Sequence, residues 1–363
     1  MEKLLMIPGP TMLSKRVLEA LGSQMRAHRT GEFGDFLFDL REDTKKVFQT
    51  SSDIHVISGS STAGMDAAIS SWIKPGDKVI VPVYGKFSAR FRQIAANYGA
   101  DIIDINLPWG EAPIARQIES VLDDEVKAVL VVQNETSTGV RVELEEMGSL
   151  LRGTGALFIV DAVSSMGGDD IPTDGCSIDL CVTGTQKAFG CPPGLAMVSV
   201  SEKAWGVIER TEPVSYYLDL RRYRSSDRRG RGQTPFTQSE SLLFALRAGV
   251  DEILEEGLEA RFRRHREMGA YVRGRIESMS LEPFPALVQN CSNTLTAIRI
   301  PRNLRASEIQ QYMDRKHGVV VATGHDDYRD KMIRIAHLGS TSMENLDRTV
   351  DAFEDAVRFL DSD

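Results

Sequence analysis

Short runs of Val, Ile and Leu recur along this chain, separated by longer stretches whose apolar residues fall at helical spacing. That alternation restricts the fold more than any other feature. Ile54–Ile57, Lys78–Pro82, Ile102–Ile105, Ala128–Gln133, Leu157–Asp161, Leu180–Thr183 and Ala196–Val200 read as strands. Most are almost continuously apolar, as strands covered on both faces are. Between them, Ala63–Trp72, Phe87–Tyr98 and Ile114–Leu122 repeat apolar residues along one helix face. The pattern predicts an α/β fold with a mainly parallel seven-stranded sheet between helices.

The rhythm changes further on. A long helix is predicted from Ser239 to about Met279, with a break, its Ala245, Val250, Ile253 and Leu254 at 3.6-type spacing. Thr294–Ile300, a helix over Ala306–Lys316, Val319–Val321, Met332–Ile335 and a final helix from about Met343 follow as an α+β tail. A chain of 363 residues has the length for two domains. The expected division is an N-terminal segment 1–15 packed on the tail, a large domain 16–250 and a small C-terminal domain 251–363.

Composition excludes several classes. With 43 Lys and Arg against 52 Asp and Glu the net charge is −9, which disfavours a global nucleic-acid binder. The 42% hydrophobic content excludes disorder. Cys176, Cys181, Cys191 and Cys291 lack the paired spacing of a zinc site, and no His/Asp/Glu/Cys cluster has metal-ligand spacing, so no metal is predicted. They read as reduced thiols. No apolar stretch reaches the roughly 18 residues of a membrane span. The first residues break at Pro8 before a signal peptide would be complete. A cytoplasmic protein is expected.

Residues 221–231 hold six arginines in eleven positions. In isolation they suit nucleic acid, with Tyr223 for stacking. The net charge argues instead for a loop at a dimer interface or active-site mouth that attracts anions, or for a solvated loop.

Three features carry chemistry. Ser58-Gly59-Ser60-Ser61-Thr62-Ala63-Gly64 follows a strand and opens a helix, so its free amides suit a phosphate, although an ordinary N-capped turn has the same residues. Asp161 ends an apolar strand, where open α/β sheets bind ligands; the alternative is a capping carboxylate. Lys187 stands in Thr183-Gly184-Thr185-Gln186-Lys187-Ala188-Phe189-Gly190 among small, hydroxyl and apolar residues, either salt-bridged or desolvated as a Schiff-base amine requires. Together they are the three anchors of pyridoxal 5'-phosphate: a phosphate cradle, a partner for the pyridinium nitrogen and an aldehyde-binding lysine.

The chain resembles the fold-type I, class V aminotransferases of the alanine–glyoxylate/serine–pyruvate group. The matching landmarks are Ile7-Pro8-Gly9-Pro10-Thr11, His28-Arg29 with Glu32-Phe33, Ser58 to Thr62, Gly85-Lys86-Phe87, and Glu135-Thr136-Ser137-Thr138-Gly139. Asp161 to Gly168, Gly184 to Ala188 with Pro192-Pro193-Gly194, Thr234-Pro235, and Arg334-Ile335 with Gly339 complete the series. The resemblance implies that Lys187 binds the cofactor aldehyde and Asp161 its ring nitrogen, with Val163 beside it. Ser60, Ser61, Thr62 and Gln186 would hold the phosphate, and Thr136 the ring-hydroxyl region. Phe87 replaces a stacking tryptophan with a smaller surface. Thr234 would reach the cofactor of a partner subunit, making a homodimer with composite sites. A tyrosine that often precedes this threonine in relatives is not evident, and Arg231 or Gln233 stands near its place. Arg334 would bind the substrate carboxylate through paired hydrogen bonds, with Gly9 and His28 at the substrate.

The implied reaction moves an amino group between a small amino acid (alanine, serine or aspartate) and a 2-oxo acid (glyoxylate, pyruvate or 2-oxoglutarate) by a ping-pong mechanism. For a dicarboxylic substrate, Arg29 or residues 221–231 are candidates for the second cation. The alternative is a lyase or hydrolase of the same superfamily, cysteine desulfurase-like or kynureninase-like; the former needs a nucleophile, for which Cys291 is the remote candidate.

Overall fold

The apolar runs form one seven-stranded sheet in this computed structural model, which describes residues 3–361. Positions 1, 2, 362 and 363 of the expected segments 1–15 and 251–363 lie outside the described residues. The spatial order is Asp53–Ser58, Leu195–Val200, Leu180–Gly184, Leu157–Asp161, Val126–Val132, Lys78–Val83 and Asp101–Asn106. Leu195–Val200 runs antiparallel to both neighbours and the remaining pairs are parallel. The inner strands are buried along nearly their whole length, whereas Asp101–Asn106 at the edge is half exposed. Because Asp53–Ser58, Leu157–Asp161 and Leu180–Gly184 share one direction, their C-terminal ends open on the same side of the sheet.

The predicted long helix is two helices, Glu240–Glu256 and Leu258–Ser278, parted at Gly257, whose φ of +82° suits glycine. The break also divides the apolar packing. Leu243, Phe244, Val250 and Ile253 join the core around the large sheet. Met268, Val272 and Ile276 instead join a second core with Ile298, Ile333, Ile335 and Phe353. Leu4 and Met6 belong to that second core, and Leu4–Leu5 pairs in parallel with Val319–Val320. A three-stranded antiparallel sheet, Leu295–Arg299, Met332–Ala336 and Ala322–Thr323, carries the tail. Among the described residues no helix is long and apolar enough to cross a membrane.

Three expectations need correction. Residues 221–231 are not a loop: Leu220–Arg229 is a helix capped by Asp219. Arg221 and Arg222 face Asp219, Arg224 faces Asp53, Glu202 and Glu209, and Arg228 faces Glu209, so most of the charge that looked like an anion trap is neutralised locally. Only Ala115–Glu119 of 114–122 is helical, Ile114 and Val121 being exposed rather than packed. The helix expected over 306–316 is α only over Ala306–Tyr312 and widens to a π turn over Met313–His317.

Candidate active site

The strand Asp53–Ser58 leads directly into the helix Ser61–Ser70. Ser60 caps it with extended backbone and no side-chain bond, and first-turn amides such as those of Ser61 and Thr62 have no acceptor within a helix. The helix lies tightly on the sheet: a Cβ at Gly64 would fall 2.9 Å from Ala196 Cβ and Val182 Cγ1. Gln186 Nε2 donates to Ser61 Oγ at 2.7 Å, and Gln186 Oε1 is buried with no partner. A Cβ at Gly184 would come within 2.0 Å of Ser61 Oγ, so glycine is required for that contact.

Asp161 ends its strand 4% exposed, its Oδ1 accepting from the Val163 amide at 2.8 Å. Burial raises its carboxyl to about 6; the Val163 amide opposes this and the Glu135 charge reinforces it. Lys187 lies just beyond the adjacent strand, and its amine donates to the Pro8 carbonyl. Burial, and then the Arg334 charge, lower that amine to about 8.

Asp161, Val163, Ser60, Ser61, Thr62, Gln186 and Lys187 all line one cavity of about 260 Å³. A second cavity, about 720 Å³, is lined by Thr136, His325 and Arg334. Gly9, Phe87 and Lys187 line both, so the two spaces meet at the lysine.

Arg334 occupies the middle of Met332–Ala336, paired in register with Ala297 on one side and Ala322 on the other. These alanines leave room for a guanidinium in an otherwise apolar strand. Nε and Nη2 donate to the Thr323 carbonyl at 2.9 and 2.8 Å, and Nη1 to the Thr136 carbonyl at 2.9 Å. Those bonds use three of the five guanidinium hydrogens and leave one on each terminal nitrogen. Among the described residues Arg334 has no carboxylate partner within ion-pair distance, although it is 5% exposed. Burial lowers its pKa only to about 10, so it stays charged at neutral pH.

Several residues at the cleft have no role assigned from sequence, Glu135 among them although it belongs to a matching landmark. Glu135 is fully buried and accepts from the Phe87 and Ser88 amides at 3.0 and 2.8 Å and from Ser137 Oγ at 2.5 Å. Its carboxylate therefore caps the helix Lys86–Asn97 and orients Phe87. His325 meets the Phe87 ring edge-on at 6.3 Å; burial, with Arg334 next, lowers it to about 4 and keeps it neutral. Arg90, one helical turn beyond Phe87, lines the smaller cavity. Its (i, i+3) spacing from Phe87 was the available signal.

Other expected residues are not brought to this cleft within the chain. His28 stands 3.4 Å from Thr237 Oγ1 and 3.9 Å from Glu240. Thr234 Oγ1 donates to the Phe236 carbonyl, and Arg29 is engaged with the Thr234 carbonyl. Arg231 lies over the Phe38 ring, near Asp35 and Asp39. Cys291 lines neither cavity and is 7% exposed, with burial raising its thiol, so it is not placed as a desulfurase nucleophile.

Fold and cleft together define a pyridoxal-phosphate-dependent transaminase, and the chain belongs to the class-V aminotransferases, whose family pattern matches residues 4–344. It is 41% identical over 362 residues to an uncharacterized aminotransferase of Methanocaldococcus jannaschii, covering 99% of this chain and 94% of that one. It is 33% identical over 341 residues to the L-aspartate–glyoxylate aminotransferase of Paracoccus denitrificans, covering 92% and 86%. Among solved structures, the alanine–glyoxylate aminotransferase of a Nostoc species superposes with a TM-score of 0.93 at 30% identity, covering 99% and 96%.

Proposed function

We propose that this cleft transfers the amino group of a small amino acid to a short 2-oxo acid, with the cofactor in the smaller cavity and the substrate in the larger. The observation that carries this reading is that Lys187, Asp161 and the hydroxyls of Ser60, Ser61 and Thr62 line one space. The donor set fits pyridoxal phosphate: first-turn amides without a helical acceptor and hydroxyls whose own hydrogens are free to donate for the phosphate, a carboxylate for the ring nitrogen and a desolvated amine for the aldehyde. The unpartnered Gln186 Oε1 marks polar capacity that the protein alone leaves unused. The bound cofactor supplies an electron sink conjugated to the substrate nitrogen.

The chain's own residues then divide the work. Lys187, neutral in a large fraction near pH 8, takes the proton from the substrate α-carbon and returns it elsewhere as the general acid. Asp161 keeps a proton on the ring nitrogen, and Val163 fixes Asp161 through its amide. Phe87, which lines both cavities, would offer its ring to the cofactor, Thr136 would approach from the larger cavity, and Gly9 lets the N-terminal segment come close. The two spare hydrogens of Arg334, one on each terminal nitrogen, hold the substrate carboxylate end-on. Donor and acceptor both carry that carboxylate and there is one Arg334, so they occupy the cleft in turn; this supports ping-pong kinetics.

Glyoxylate is the proposed acceptor class, supported by the activities for which the Paracoccus and Nostoc relatives are named, with aspartate, alanine or serine as donor. Thr234 and His28, which lie away from their own cleft, are assigned to the cleft of a second copy in a homodimer. The four cysteines, all free and buried, support a cytoplasmic setting.

Titrating purified protein with single amino donors tests the function. The visible absorbance of the lysine-bound cofactor should fall with the true donor and return on adding glyoxylate. Lys187→Ala should lose both the absorbance and the turnover; a variant that keeps turnover overturns the reading.

A further inference from the structure

Arg90 stands on the helix Lys86–Asn97, and its guanidinium carbon lies 4.9 Å from the Phe87 ring centroid. Nη1 is 3.4 Å from Thr62 Oγ1. The helix carries other basic residues that are ion-paired: Lys86 with Asp326 and Arg92 with Asp104. Arg90 has no carboxylate within ion-pair distance among the described residues, yet it lines the cavity that holds Ser60, Ser61 and Thr62. The charged side chains lining that cavity are Asp161, Lys187 and Arg90. Lys187 is committed to the aldehyde end, and the start of the helix Ser61–Ser70 offers hydrogen bonds but only a partial positive charge. Among the described residues lining that cavity, Arg90 is the full cation left for a phosphate dianion seated there.

We propose that Arg90 is the counter-charge of the cofactor's phosphate, its guanidinium edge on the phosphate oxygens and its face resting on Phe87. The geometry suits both contacts, because guanidinium is planar and binds phosphate through its edge while stacking on an aromatic face. The assignment deepens the reading of Ser60, Ser61 and Thr62 as a phosphate cradle and rests on it.

Equilibrium binding of pyridoxal 5'-phosphate and of pyridoxal, which lacks the phosphate, to cofactor-stripped protein tests this by visible absorbance and by the thermal shift of the complex. Arg90→Ala should weaken pyridoxal phosphate by roughly 10–100-fold, the range expected for losing a hydrogen-bonded charge, and leave pyridoxal within about twofold. Arg90→Lys, which keeps the charge but not the fork, should fall between. Arg92→Ala, on the same helix, should behave as wild type. Unchanged phosphate-ester affinity in Arg90→Ala, or an equal loss for both ligands, overturns the assignment. A wild type that binds pyridoxal but gains nothing from the phosphate overturns the cradle instead, and Arg90 with it; a wild type that binds neither overturns the cofactor cavity itself.

Discussion

Lys187 and Pro8 are 179 positions apart, and the lysine amine donates to the proline carbonyl. The N-terminal segment is thereby a wall of the cleft. Gly9, next to Pro8, has φ +86°, and a Cβ there would fall 2.8 Å from both the Gln186 carbonyl oxygen and Lys187 Cδ. Gly9→Ala is therefore strained twice, by backbone and by contact. It should destabilise the protein by about 1–3 kcal/mol and slow cofactor loading, read by thermal melting and by visible absorbance.

The lysine's environment sets a pH dependence. Its amine is lowered from 10.5 to about 8, and only the neutral amine attacks an aldehyde. Loading of cofactor-stripped protein should accelerate as pH rises to about 8 and level off above it. A rate still climbing towards pH 10 would mean an ordinary exposed lysine.

Arg334→Lys removes the two-pronged grip proposed for the substrate carboxylate while keeping a cation. The KM for amino acid and 2-oxo acid should rise by roughly 10–100-fold, with cofactor absorbance unchanged. Steady-state kinetics beside a spectrum separate the two effects. A variant that loses the cofactor would place Arg334 among the fold's supports.

Arg224 is the busiest member of the arginine-rich helix. It faces Asp53, Glu202 and Glu209 and lies 4.4 Å from the Trp205 ring centroid, with its side chain 12% exposed. Arg224→Ala should cost about 1–3 kcal/mol in denaturant unfolding and leave transamination kinetics unaltered. A change in kinetics without a change in stability would return this helix to the substrate's path.

The site was legible where chemistry and strand position coincide. Asp161 and Lys187 each stand at or just beyond the end of an apolar strand, and parallel strands deliver their C-terminal ends to one side of a sheet. Glu135 was visible only as part of a motif, because a carboxylate capping a helix that starts 49 positions earlier leaves no periodic trace. His325 was missed for the same reason, because Phe87, the ring it meets, is distant in sequence, whereas Arg90 shares a helix with Phe87 and only the fold sets the pair beside Ser60, Ser61 and Thr62.

By itself the sequence determined the α/β sheet, its burial pattern and the types of group available for cofactor chemistry, because hydrophobic periodicity and residue chemistry are local. Tertiary structure alone decided which charges are neutralised and which are left over. It turned Arg221 to Arg229 into part of an ion-paired helix and drew Pro8 onto Lys187. It also left Arg334 and Arg90, among the described residues, without a carboxylate at ion-pair distance, one lining each cavity. The physical reason is that the energy of a charge depends on what folding places within a few ångströms of it, and residues distant in sequence supply those neighbours.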